Sequence, residues 1–144
     1  MSDYHHATAL VIGEKGLLLT GASGAGKSAL AERLIAEARA RGLFARLVGD
    51  DRIALTVDRG RLIATSHPAI RGQVERRGIG ILTVDSFEKA VLGGVVMLES
   101  APPRLPEPEA RQVEIRGVRL PCLALRDDRD LAAKAHLVLD WLGV

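Results

Sequence analysis

The chain has 144 residues, 47% of them hydrophobic and only 3% aromatic. That length points to a single domain, residues 1–144, burying roughly two-thirds of its unfolded surface in a core of Ala, Leu, Ile and Val. Twenty basic and eighteen acidic residues leave a formal charge of +2 and are interspersed, so no nucleic-acid footprint is present, and the shortage of aromatics argues against a base-stacking platform. One cysteine, Cys122, excludes an internal disulfide framework and suits a reducing compartment, where it reads as a small buried hydrophobe. No leader pattern and no apolar run approaching ~20 residues is found. A soluble, cytoplasmic protein without membrane contact is expected.

Residues 1–6 are polar and hold two adjacent histidines, His5 and His6. Ala7–Ile12 reads as a strand, Gly13–Gly16 as a hairpin turn and Leu17–Thr20 as a buried strand suited to parallel pairing. Next comes Gly21-Ala22-Ser23-Gly24-Ala25-Gly26-Lys27-Ser28, which matches the phosphate-binding loop pattern at every required position. Such a loop turns several backbone N–H groups toward one phosphate, and glycines permit the bend and the close approach. The helix that follows directs its positive end at the anion. Leu30, Ala31, Leu34, Ile35 and Ala38 give that helix one apolar face to about Arg41, and Gly42 stands where a C-cap glycine belongs. Strand, loop and helix in this order indicate a nucleotide-binding protein in which Lys27 reaches the β- and γ-phosphates and Ser28 ligates Mg²⁺.

Leu43–Val48 is the next strand and runs into Gly49-Asp50-Asp51, carboxylates at the edge of a sheet near the metal. Ile53–Val57 and Leu62–Thr65 form a hairpin turning at Arg59-Gly60. From His67 to Arg77 the chain looks irregular or briefly helical, then enters an apolar strand through Thr83. Ser86–Ala90 reads as a short helical turn and Val95–Leu98 as a buried strand. Ala101–Glu109 carries four of the six prolines and is a stiff extended connection. Val113–Ile115 and Val118–Leu125 make a last hairpin. A final helix, Asp130–Leu142, starts at a capping Asp130 and sets Leu131, Ala135, Val138 and Leu142 on one face.

Four segments in this order resemble the bacterial HPr kinase/phosphorylases. They are His6, fifteen positions before Gly21; Gly21–Ser28; Leu47-Val48-Gly49-Asp50-Asp51-Arg52, similar to Leu-Val-Ala-Asp-Asp-Arg; and Glu75-Arg76-Arg77-Gly78-Ile79-Gly80-Ile81, similar to Glu-x-Arg-Gly-Leu-Gly-Ile. The match is good over about residues 5–100. It implies an α/β fold, a mixed sheet with a phosphate loop and flanking helices, of the HPr kinase and PEP carboxykinase type. It also implies a Mg-ATP-dependent protein serine kinase acting on an HPr-type phosphocarrier of the phosphotransferase system, with reverse phosphorolysis as a second activity and a homo-oligomer, a hexamer in the family.

The resemblance assigns roles residue by residue. Lys27 contacts the phosphates, Ser28 and Glu75 ligate Mg²⁺, and Asp50 takes the proton of the substrate serine. His6 sits beside that carboxylate and tunes it, Asp51 supports the metal or its waters, Arg77 helps organise the loop, and Arg104 matches a catalytic arginine. The sequence departs from the family in two ways. It resembles the C-terminal catalytic domain only. Where the family has a glycine-containing basic loop used mainly in dephosphorylation, Cys122–Asp130 holds no glycine and three aspartates, which favours the kinase direction. An ATP-binding regulator without catalysis and a phosphate-loop kinase of small metabolites are the other readings of the same residues.

Overall fold

The computed structural model describes residues 4–76, 78–104, 107 and 111–144. Among these residues, eleven strands and two α-helices follow in chain order: β1 (Tyr4–His5), β2 (Thr8–Ile12), β3 (Lys15–Gly21), α1 (Lys27–Ala40), β4 (Ala45–Gly49), β5 (Ile53–Asp58), β6 (Arg61–Ser66), β7 (Gln73–Arg76), β8 (Gly80–Thr83), β9 (Lys89–Glu99), β10 (Gln112–Ile115), β11 (Val118–Arg126) and α2 (Leu131–Leu142). Nine strands form one mixed sheet along the path β1-β5-β6-β9-β3-β2-β4, with β11 and β10 branching from β9. The loop-bearing strand β3 runs parallel to β9 and antiparallel to β2.

Alternation in the central strands sorts the core into two layers. Leu17 and Leu19 of β3 and Leu10 and Ile12 of β2 face the helices, packing with Leu30, Leu34 and Ala38 of α1 and Val138, Leu139 and Leu142 of α2. Leu18, Ala9 and Val11 face the other way, against Ile53, Leu55 and Leu62 of the β5–β6 hairpin and Leu120 and Cys122 of β11. Helix α1 ends as its sequence demands: Gly42 takes φ 78°, and the Leu43 N–H donates to Ala38 O at 2.9 Å. Asp130 caps α2, its Oδ1 accepting from the Ala133 N–H at 3.1 Å.

Three expectations are corrected by long-range pairing. Ser86–Ala90 is not a helical turn, because Phe87 N–H donates to Leu47 O at 2.8 Å and Lys89-Ala90 already belong to β9. That strand is eleven residues long, its first part paired with β6 and its second with β11. The stretch after His67 holds a short 3-10 turn, Pro68–Ile70, but then forms β7, which pairs antiparallel with β8 as a separate two-stranded sheet. The residues leading into and along β8 are not buried: Ile79 and Ile81 are 67% and 69% exposed. Among the described residues, no helix is long and apolar enough to cross a membrane.

Candidate functional site

The phosphate-loop segment lies where β3 hands over to α1. Gly26 immediately precedes the helix with φ 96° and ψ 22°, a left-handed conformation that glycine adopts without strain. The Leu30 N–H donates to its carbonyl at 2.9 Å, so the next turn of α1 is already closed. The Lys27 side chain curls over the loop, its Nζ donating to Gly21 O at 2.8 Å and Ala22 O at 3.1 Å. An ammonium and the open N–H groups of a helix start therefore face the same space.

At the end of β4 the two aspartates separate. Asp50 turns toward the loop, and Ser28 Oγ lies 2.8 Å from both of its carboxylate oxygens. Thr8 Oγ1 donates to Asp50 Oδ1 at 2.7 Å. Asp51 has φ 69°, the left-handed region that Asp tolerates better than most residues. Its carboxylate makes a separate contact, Oδ1 lying 3.0 Å from His6 Nδ1. The expectation that His6 sits beside Asp50 is thus corrected: its partner is Asp51. Strand alternation is not what divides the pair, since β4 stops at Gly49 and the Arg52 N–H closes a turn on Asp50 O at 2.8 Å.

A cleft of about 980 Å³ joins these groups. It is lined by His6, by Ser23, Gly24, Gly26, Lys27 and Ser28 of the loop, by Asp50 and Asp51, and on its far wall by Glu75, Arg76 and Ile81 of the β7–β8 hairpin. The hairpin is tied to α1 by Arg76 Nη2 donating to Glu32 Oε1 at 2.5 Å, a contact that reading the sequence left out. Thr8 is a second omission. Its signal was a hydroxyl on the apolar face of a strand. Arg104 is exposed and is not among the cleft-lining residues, so the structure does not bring it to the other candidates. Arg77 lies outside the described residues.

The residues present fit Mg²⁺. Ser28 and Asp50 offer hard oxygens side by side and Glu75 adds a carboxylate to the same cleft. One or two carboxylates, with waters and phosphate oxygens completing the shell, is the usual way this ion is held. The arrangement can bind a polyphosphate at the loop, hold a divalent cation beside it, and present a second carboxylate, Asp51, to whatever enters the cleft.

Residues 1–91 match the family described as HPr Serine kinase C-terminal domain. The chain is 40% identical over 79 residues to an HPr kinase/phosphorylase of Mycoplasma mycoides, covering 55% of this chain and 23% of that protein. It is 41% identical over 72 residues to one of Clostridium tetani, covering 50% and 22%. The chain therefore spans about a quarter of the length of these curated relatives. A solved structure, the Hpr(Ser) kinase/phosphatase from Coxiella burnetii, superposes with a TM-score of 0.77 at 26% identity, over 97% of this chain and 96% of that one.

Proposed function

The chain belongs to the HPr serine kinase C-terminal domain family, and from that premise we propose that it is a Mg-ATP-dependent protein serine kinase acting on an HPr-type phosphocarrier. The observation that carries the reading is the meeting of Lys27, Ser28, both aspartates and His6 in one cleft. Phosphoryl transfer needs little covalent chemistry from a protein; it needs placement, charge neutralisation and a base at the nucleophile.

In this reading the loop amides and the start of α1 hold the phosphates, and Lys27 exchanges its carbonyl partners for phosphate oxygens. Bound Mg²⁺ supplies neutralising charge on the transferring group. Ser28, Asp50 and Glu75 hold it. Asp50 is held beside the loop by the hydroxyls of Ser28 and Thr8, a placement that suits the metal, so the base is assigned to Asp51, which meets His6 alone among the described contacts and is 69% exposed at the side chain. This exchanges the roles that the resemblance gave to the two carboxylates. Asp51 takes the proton as the serine oxygen bonds to the γ-phosphorus and the bond to the β-phosphate oxygen breaks, releasing ADP. His6 holds the carboxylate in place. Asp128 and Asp130 of the altered Cys122–Asp130 segment are engaged at the start of α2, which supports the kinase direction over phosphorolysis.

The test is transfer of radiolabelled γ-phosphate from Mg-ATP to a purified HPr-type protein beside its serine-to-alanine variant. Label that disappears with the serine is the expected result. ATP binding without any transfer would overturn the reading in favour of a regulator.

A further inference from the structure

We infer that Thr8 is a positioning residue, whose hydroxyl fixes the Asp50 carboxylate at the orientation in which it and Ser28 share the metal. This rests on reading the cleft as a Mg-ATP site. Thr8 is completely buried. Alternation puts it on the same face of β2 as Leu10 and Ile12, which pack in the layer against the helices. Nothing about the strand or that layer calls for a hydroxyl, since valine has the same branched shape and an equal liking for sheet. Its Oγ1 is spent on Asp50 Oδ1, at 2.7 Å.

The sheet is built to make this contact. Between β2 and β4 the register runs Leu10↔Leu47 and then Ala9↔Gly49, so Val48 is an extra residue in β4, the mark of a β-bulge. Regular pairing would set Thr8 against Gly49. With the bulge, the next residue after Gly49 on the far strand is Asp50, beyond the last ladder pair and no longer held by sheet hydrogen bonds. Thr8 then reaches across as a cross-strand partner would. Ser28 cannot do this work alone, because its oxygen is itself a proposed metal ligand. The hydroxyl of Thr8 holds Asp50 from a fully buried position.

The test is calorimetric: the dissociation constant of ATP at saturating Mg²⁺ and in EDTA, for the wild type, Thr8→Val, Thr8→Ala and Thr8→Ser. The ratio of the two constants reports the metal's contribution without any turnover. Losing one hydrogen bond to a charged group predicts that Thr8→Val and Thr8→Ala shrink this ratio about tenfold, while Thr8→Ser restores most of it. The alanine variant gives the same reading if valine disturbs folding. Ratios within twofold of the wild type in Thr8→Val and Thr8→Ala would overturn the inference. So would a Thr8→Ser variant as impaired as Thr8→Val, which would mean that the methyl group and not the hydroxyl matters. A wild type whose ATP affinity ignores Mg²⁺ would instead bring down the reading of the cleft itself.

Discussion

Exchanging each aspartate for asparagine separates the two carboxylates by what they touch. Asp51 meets His6 across an exposed pair, with side chains 69% and 83% accessible, and such pairs contribute under about 1 kcal/mol to folding. Asp51→Asn should therefore unfold within a few degrees of the wild type and keep its Mg²⁺-dependent ATP affinity. A positioned general base is worth about 10²–10⁴ in rate, so kcat for transfer to the phosphocarrier should fall by that factor. Asp50→Asn behaves differently. It replaces an anion that accepts from two hydroxyls at 2.7–2.8 Å, bonds worth about 1.5–3 kcal/mol when one partner is charged, and it removes a proposed metal ligand. Its midpoint should drop by several degrees and its response to Mg²⁺ should collapse. Thermal unfolding, calorimetry and single-turnover transfer on the same three proteins read all of this. If Asp51→Asn transferred phosphate at the wild-type rate while Asp50→Asn bound Mg-ATP normally and lost transfer, the assignment of roles made here would be inverted.

The fold yields further expectations. Leu34 is fully buried between α1 and the sheet, so Leu34→Ala should cost about 3 kcal/mol and lower the melting midpoint by about 10 °C; a loss below about 1 kcal/mol would mean that the helix is not packed as described. A Cβ at Gly94 would stand 2.9 Å from the Trp141 ring, so Gly94→Ala should destabilise by about 1–3 kcal/mol and Gly94→Ala with Trp141→Leu should recover most of it, which urea unfolding measures. The Asp128 carboxyl is held below its ordinary range, chiefly by the hydrogen bond from Lys134 and then by the Asp130 N–H. A depressed folded pKa gives stability that is complete above the unfolded value, about 3.9, and is lost as the pH falls through the folded one. The melting difference between wild type and Asp128→Asn should therefore be full at pH 7 and shrink below about pH 4; a difference independent of pH would remove the ion pair from the account.

What the sequence discloses is the chemistry that acts over a few residues. The phosphate loop, the Gly42 cap and the turn at Arg59-Gly60, which takes positive φ at both residues, are set by neighbours in the chain and were legible there. What was hidden depends on strands far apart. The first half of β9 was missed because Gly93-Gly94 interrupts its apolar run, and its partner there is β6, more than twenty residues earlier. The strand β7 was missed because Gln73–Arg76 has only Val74 buried and is held by β8 and Glu32 rather than by an apolar face.

The division of labour between Asp50 and Asp51 shows the same limit inside the site. Adjacent carboxylates after a strand suggest alternation to opposite faces, and alternation alone does not say which one faces the phosphate loop. Two features settle it, and neither has a local signature. The extra residue Val48 advances β4 by one position against β2, bringing Asp50 level with Thr8. The left-handed backbone at Asp51 then swings the next carboxylate toward His6. Regularise the pairing with Val48 kept in the strand, and Gly49 takes the place of Asp50 opposite Thr8. The motif would remain intact in the sequence while the carboxylate it needs moved out of reach.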